Sequence, residues 1–69
     1  WTPASMDQLE RAARDRRRVI VVRRGTEYIV EARRVLATGR REVLIGFLPM
    51  TGEELQFDLA EVDEFQVIA

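Results

Sequence analysis

The apolar positions of this chain change rhythm once, near residue 19. Before it, Met6, Leu9, Ala12 and Ala13 recur at helical spacing, with Asp7, Glu10, Arg11 and Arg14 between them. Ser5-Met6-Asp7-Gln8 has the form of a capping box, a serine followed three residues on by glutamine. The pattern predicts a helix over about 5–17 after a loose lead-in at 1–4. Arg16-Arg17-Arg18 then lies near the negative end of the helix dipole. The apolar stripe is narrow, so such a helix should lie across a sheet or on a partner.

Beyond residue 19 the rhythm is that of strands. Val19-Ile20-Val21-Val22 is four β-branched residues in succession. Arg23-Arg24-Gly25-Thr26 supplies a turn, and Ala37-Thr38-Gly39-Arg40 the next. The clearest signal follows. Glu42 to Leu48 is an almost unbroken apolar run, and Leu55, Phe57 and Leu59 alternate with Gln56 and Asp58 after the break at Pro49-Met50-Thr51-Gly52. A covered strand joined to a half-buried one makes a β-hairpin. Strands are predicted at about 19–24, 27–36, 42–48, 54–59 and 64–68, with a short turn or single helical turn at Ala60-Glu61-Val62-Asp63.

In the first hairpin, Val19, Val21, Tyr28, Val30 and Ala32 share one face and make the better interior. Ile20, Val22, Arg24, Glu27, Ile29 and Glu31 share the other, which offers a face for the helix to cover. Phe47, Phe57 and Phe65 fall where the alternation places core. Five short antiparallel strands with no crossover helix leave exposed edges unless the sheet curls. The expected fold is therefore mostly β with one N-terminal helix, a small five-stranded antiparallel SH3-like or Sm-like barrel.

Composition narrows the function. At 69 residues the chain is one domain, of a size that buries only ~60% of its unfolded surface. It has no cysteine and no histidine, so neither disulfides nor imidazole metal ligands are available. No apolar run approaches the ~18 residues of a membrane span, and no secretory signal is present. A cytoplasmic location is the expectation. The chain opens on Trp1, and the expectation is a domain excised from or fused to a longer protein, with Met6 as an alternative start.

The charges are unevenly placed. Residues 1–41 hold all eleven basic residues, every one an arginine, against five acids, for +6; residues 42–69 hold seven acids and no base, for −7. Either the two halves pair across the fold, or the arginines present a basic face to an anionic partner. The arginine fork suits phosphate and carboxylate. Arginines cluster at 16–18, 23–24, 33–34 and 40–41. The last three clusters stand at strand ends or turns, so Arg23, Arg24, Arg33, Arg34, Arg40 and Arg41 are the candidate anion or nucleic-acid site.

Catalysis has little to work with. Ser5 is the only serine, there is no histidine or cysteine, and Glu53-Glu54 and Asp63-Glu64 read as solvated pairs. The glycines match neither a dinucleotide fingerprint nor a P-loop. No enzyme activity, cofactor or metal is expected. Aromatic platforms are few, since the three phenylalanines read as core and only Trp1 and Tyr28 remain, fewer than a single-strand binder usually shows.

From Leu9 to about Val67 the chain resembles the WYL domain, an Sm-like barrel that follows a helix-turn-helix in bacterial transcription regulators. Leu9 to Val22 resembles that family's helix and arginine-rich junction. Val30-Glu31-Ala32-Arg33-Arg34-Val35-Leu36 resembles its valine-any-proline strand, with Ala32 at the proline. Glu42, Val43 and Leu44 stand where Trp-Tyr-Leu names the family, followed by a fitting Ile45-Gly46-Phe47. Leu55 to Val62 resembles the later Arg-x-Phe-x-Leu-Asp-Arg-Ile motif: Phe57, Leu59 and Val62 agree, while Leu55, Ala60 and Glu61 depart. The resemblance implies a regulatory module that senses nucleic acid or a nucleotide-like ligand. At the family's ligand positions this chain has Glu42, Val43, Leu55 and Glu61, so an anion site would use the other arginines. The alternative is a structural module whose edge strands join copies or a neighbouring domain. A third, minor reading is a stand-alone nucleic-acid-binding barrel. No membrane partner is expected.

Overall fold

In the computed structural model, which describes residues 2–68, helix α1 spans Pro3–Arg14. It starts earlier than the Ser5 capping box predicts, because Thr2 is the N-cap: its side-chain oxygen accepts from the Ser5 backbone N–H at 3.1 Å, and Pro3 occupies the first turn. Residues 3 and 4 therefore belong to the helix. The helix also ends before Arg17. The Arg16 N–H donates to the Ala13 carbonyl at 3.2 Å and the Arg17 N–H to the Ala12 carbonyl at 2.9 Å. These two bonds are a Schellman motif. Its C′ position, normally glycine, is Arg16 at φ 53°, and Arg16, Arg17 and Arg18 lie beyond the helix.

Five strands follow: β1 Arg18–Arg23, β2 Thr26–Thr38, β3 Arg41–Leu48, β4 Glu53–Asp58 and β5 Val62–Val67, with a single 3₁₀ turn at Leu59–Glu61. Each falls within about two residues of its predicted position. The first hairpin turns through Arg24 and Gly25, both at positive φ (51° and 78°), between paired Arg23 and Thr26. This is the two-residue connection that matches strand twist.

All five strands form one antiparallel sheet in the order β4-β3-β2-β1-β5. The sheet curls without closing by hydrogen bonds, so β4 and β5 remain its edges and the expected barrel is an open one. A register shift in β2 between Ala32 and Arg34 marks a bulge, the usual device for bending a strand. Curling brings the end of β1 to β4, three strands away in sheet order. The Arg23 Nη1 donates to the Gln56 carbonyl at 3.5 Å, and its guanidinium lies 5.0 Å from the ring centroids of both Tyr28 and Phe57.

The concave side holds the core: Leu9, Ala12 and Ala13 from α1 against Val19, Val21, Val30, Ala32, Leu44, Phe57, Leu59 and Val62. The interior set of the first hairpin is as predicted, with Tyr28 half-buried at its margin. The helix, however, packs against this set and not against the opposite one. Once the sheet curls, its concave side is the only side that can be sealed all round, and the helix stripe seals it. The convex face keeps Ile29 56% exposed.

Phe57 is fully buried and Phe65 packs half-buried against the core. Phe47 departs from expectation. It pairs with Glu31 and Glu54, on the opposite side of the sheet from Gly46 and Leu44, and the Arg33 guanidinium covers its ring at 4.4 Å. Trp1, a candidate aromatic platform, lies outside the described residues.

Candidate anion-binding surface

The six candidate arginines do not form one face. Three of them converge on residues 56–61. Arg23 bonds the Gln56 carbonyl and the Tyr28 hydroxyl (Nη2 to Oη, 3.2 Å). Arg24 pairs with Glu61 at 2.6 Å, and Arg41 with Asp58 at 3.3 Å. Arg23 is thus a clasp that holds β1 to β4, stacked on two rings that themselves meet edge to face at 5.3 Å. The Arg24 and Arg41 pairs are largely exposed on the arginine side. They contribute about 0–1 kcal/mol each to stability, but they place a carboxylate where an incoming anion would have to bind. To this extent the basic half and the acidic half of the chain pair across the fold.

Arg33 and Arg34 lie at the β2 bulge. The Arg33 Nε sits 3.0 Å from Glu31 Oε1, but its N–H is not directed at that oxygen. The contact is an ion pair without a hydrogen bond, and with the ring of Phe47 beneath, it fixes the guanidinium plane. Arg34 is exposed and makes no ion pair among the described residues. Arg40, in the β2–β3 turn, is likewise exposed and unpaired.

Curling of the sheet adds an arginine that sequence reasoning placed only on the helix. Arg14, in the last turn of α1, comes beside Arg33 and Arg34. Together with Glu10 they rim an open groove of about 210 Å³, floored by Ala13, Val35 and Leu36. Arg14 is also without an ion pair among the described residues. Its helical position and the 33–34 pair are separate in the sequence; only the approach of α1 to β2 joins them. The groove lies between β2 and the end of α1, lined by three arginines and Glu10, with Arg33 already held by Glu31.

At the positions matching the WYL ligand contacts, Glu42 is exposed, Val43 and Leu55 are half-buried, and Glu61 is the partner of Arg24. No group of three or more Asp or Glu residues is placed to hold a metal ion among the described residues. No described helix is long and apolar enough to cross a membrane.

The fold and this groove define a small β-rich domain with one helix sealing a curled sheet. No protein-family model matches the chain, and neither does any curated protein.

Proposed function

We propose that this chain is a non-enzymatic, ligand-sensing or regulatory module that takes a nucleic acid or nucleotide-like anion in the groove between α1 and β2. One observation carries the reading: Arg14 and Arg34, neither in an ion pair among the described residues, rim a single open groove beside Arg33, which is held by Glu31, while Arg23, Arg24 and Arg41 are engaged with residues 56–61. The apolar floor of Ala13, Val35 and Leu36 suits a ligand with a flat or aliphatic part beside its charge. The regulatory role is what the WYL resemblance implies, transferred from that family's contact positions to this groove.

The test is titration of short single-stranded DNA, RNA and nucleotides over about 50–200 mM salt. Three arginine contacts to a single strand give a slope of log K against log salt near −2, at about −0.7 per contact. Arg14→Ala and Arg34→Ala should each weaken binding and flatten the slope, whereas Arg24→Ala should leave both unchanged. Absence of binding at low salt, or binding without salt dependence, refutes the proposal.

The rival reading, assembly through strand edges, meets an obstacle of charge. Edge β4 carries Glu53, Glu54 and Asp58, and edge β5 carries Asp63 and Glu64, with no base on either. Edge-to-edge pairing of two copies would set like charges across the new ladder, which is destabilising.

A further inference from the structure

The convex face of β5-β1-β2 has the opposite character. Its rows follow from the register. Ile20 of β1 lies between Ile29 of β2 and Gln66 of β5; Val22 lies between Glu27 and Glu64; Arg18 lies beside Glu31. Along β1 the face thus runs from a cation, through an apolar centre, to a valine flanked by two carboxylates. Ile29 is more than half exposed, and a shallow groove of about 300 Å³ runs over Ile20 and Val22 between Glu27, Glu64 and Gln66. Glu31 is engaged by Arg33. Arg18, Glu27 and Glu64 make no ion pair among the described residues.

We infer that this face is a docking surface for a second copy of the same chain, joined by a two-fold axis through Ile20. The argument is self-complementarity. A two-fold interface sets residue i against j and j against i. With Ile20 on the axis, Arg18 of one copy meets Val22 of the other, and reaches the two carboxylates that flank it. The second Arg18 does the same at the far end. Ile20 and Ile29 of both copies close the middle, in the face-to-face packing of two sheets ~10 Å apart. A two-fold axis running along the strands would bring Arg18 onto Arg18 and the four glutamates together, so the charges select the axis that runs across them. This face adjoins the anion groove at Glu31, which lies beside Arg18 and is the partner of Arg33.

The size of the face limits its strength. Three strands ~4.8 Å apart and five residues at ~3.3 Å give a patch of roughly 15 × 17 Å. That is roughly 250 Å² per copy, or about 500 Å² in all, below the ~1,000 Å² of a stable specific interface, so the dimer is a weak, transient one with a dissociation constant on the order of 10–1,000 μM. Sedimentation velocity across that concentration range should show a monomer–dimer equilibrium that weakens several-fold as salt is raised. Ile29→Asp should weaken association tenfold or more. Arg18→Glu alone and Glu27→Arg/Glu64→Arg together should each do the same, and an equimolar mixture of those two charge variants should form a heterodimer. Because the charge variants touch only exposed side chains, they keep the test open even if Ile29→Asp fails to fold. A monomer throughout, a dimer indifferent to Ile29→Asp, no heterodimer in the mixture, or assemblies that grow beyond two copies would each overturn the inference.

Discussion

Gly46 offers a sharp test of how the sheet curls. It sits in β3 opposite Ala32 and Leu55, facing the concave side. A Cβ placed there would lie 2.7 Å from Val30 Cγ2, 3.0 Å from Val30 Cβ and 3.4 Å from Phe57 Cε2. The backbone of Gly46 is not in the left-handed region, so an alanine could adopt its conformation. Glycine is required there by close approach alone. In an open strand Gly→Ala would stabilise by about 0.4–1 kcal/mol through the unfolded state. Here Val30 cannot yield, since its Cβ is fixed by the backbone of β2 and its rotamer is stiff. Overpacking costs about 1–3 kcal/mol, so Gly46→Ala should destabilise by about 1–2 kcal/mol net. At about 4–8 °C per kcal/mol for a domain of this size, Tm should fall by roughly 5–15 °C. Thermal and denaturant unfolding followed by circular dichroism measure this directly. Val30→Ala would make room for the new methyl, so the double variant should lose less than the sum of the two single losses, with a coupling of at least ~0.5 kcal/mol. A neutral or stabilising Gly46→Ala, or strict additivity with Val30→Ala, would show that β3 and β2 do not approach as described.

Two further substitutions probe the core and the helix end. Phe57→Ala removes the largest fully buried side chain and one of the two rings under Arg23, and should cost ~3–5 kcal/mol; a loss under about 1 kcal/mol would place Phe57 on the wrong face. Arg16→Gly should raise stability by about 0.5–1 kcal/mol, because glycine relieves the positive φ at the Schellman C′ position; a loss in urea-denaturation midpoint would contradict the helix ending there.

Much of the architecture was legible because it is written in local rhythm. β-branched runs, alternation at 55–59 and glycine-marked turns depend on near neighbours, and their strands appear where expected. The helix start was missed by a competing cap: Thr2-Pro3 and Ser5 both fit, and the proline decides for the earlier one. Its end was missed because an arginine stands where a glycine normally signals the stop. Phe47 reads as core in the alternation because a single strand has no inside or outside until the bulge at Arg33 assigns one.

The candidate site was legible only in kind. Arginine clusters are visible by eye, but a linear chain does not reveal which cations meet a carboxylate after folding. Curling delivered Arg24 to Glu61 and Arg41 to Asp58, made a clasp of Arg23, and brought Arg14 from the helix to Arg33 and Arg34. By itself, then, the sequence determined the elements, their order and the inward set of the first hairpin, since these follow from propensity and period. The tertiary structure alone decided which face the helix seals, which arginines remain unpaired, and that the convex face runs from Arg18 to Glu27 and Glu64. Those are distances between residues far apart in the chain, and only the curl of the sheet sets them.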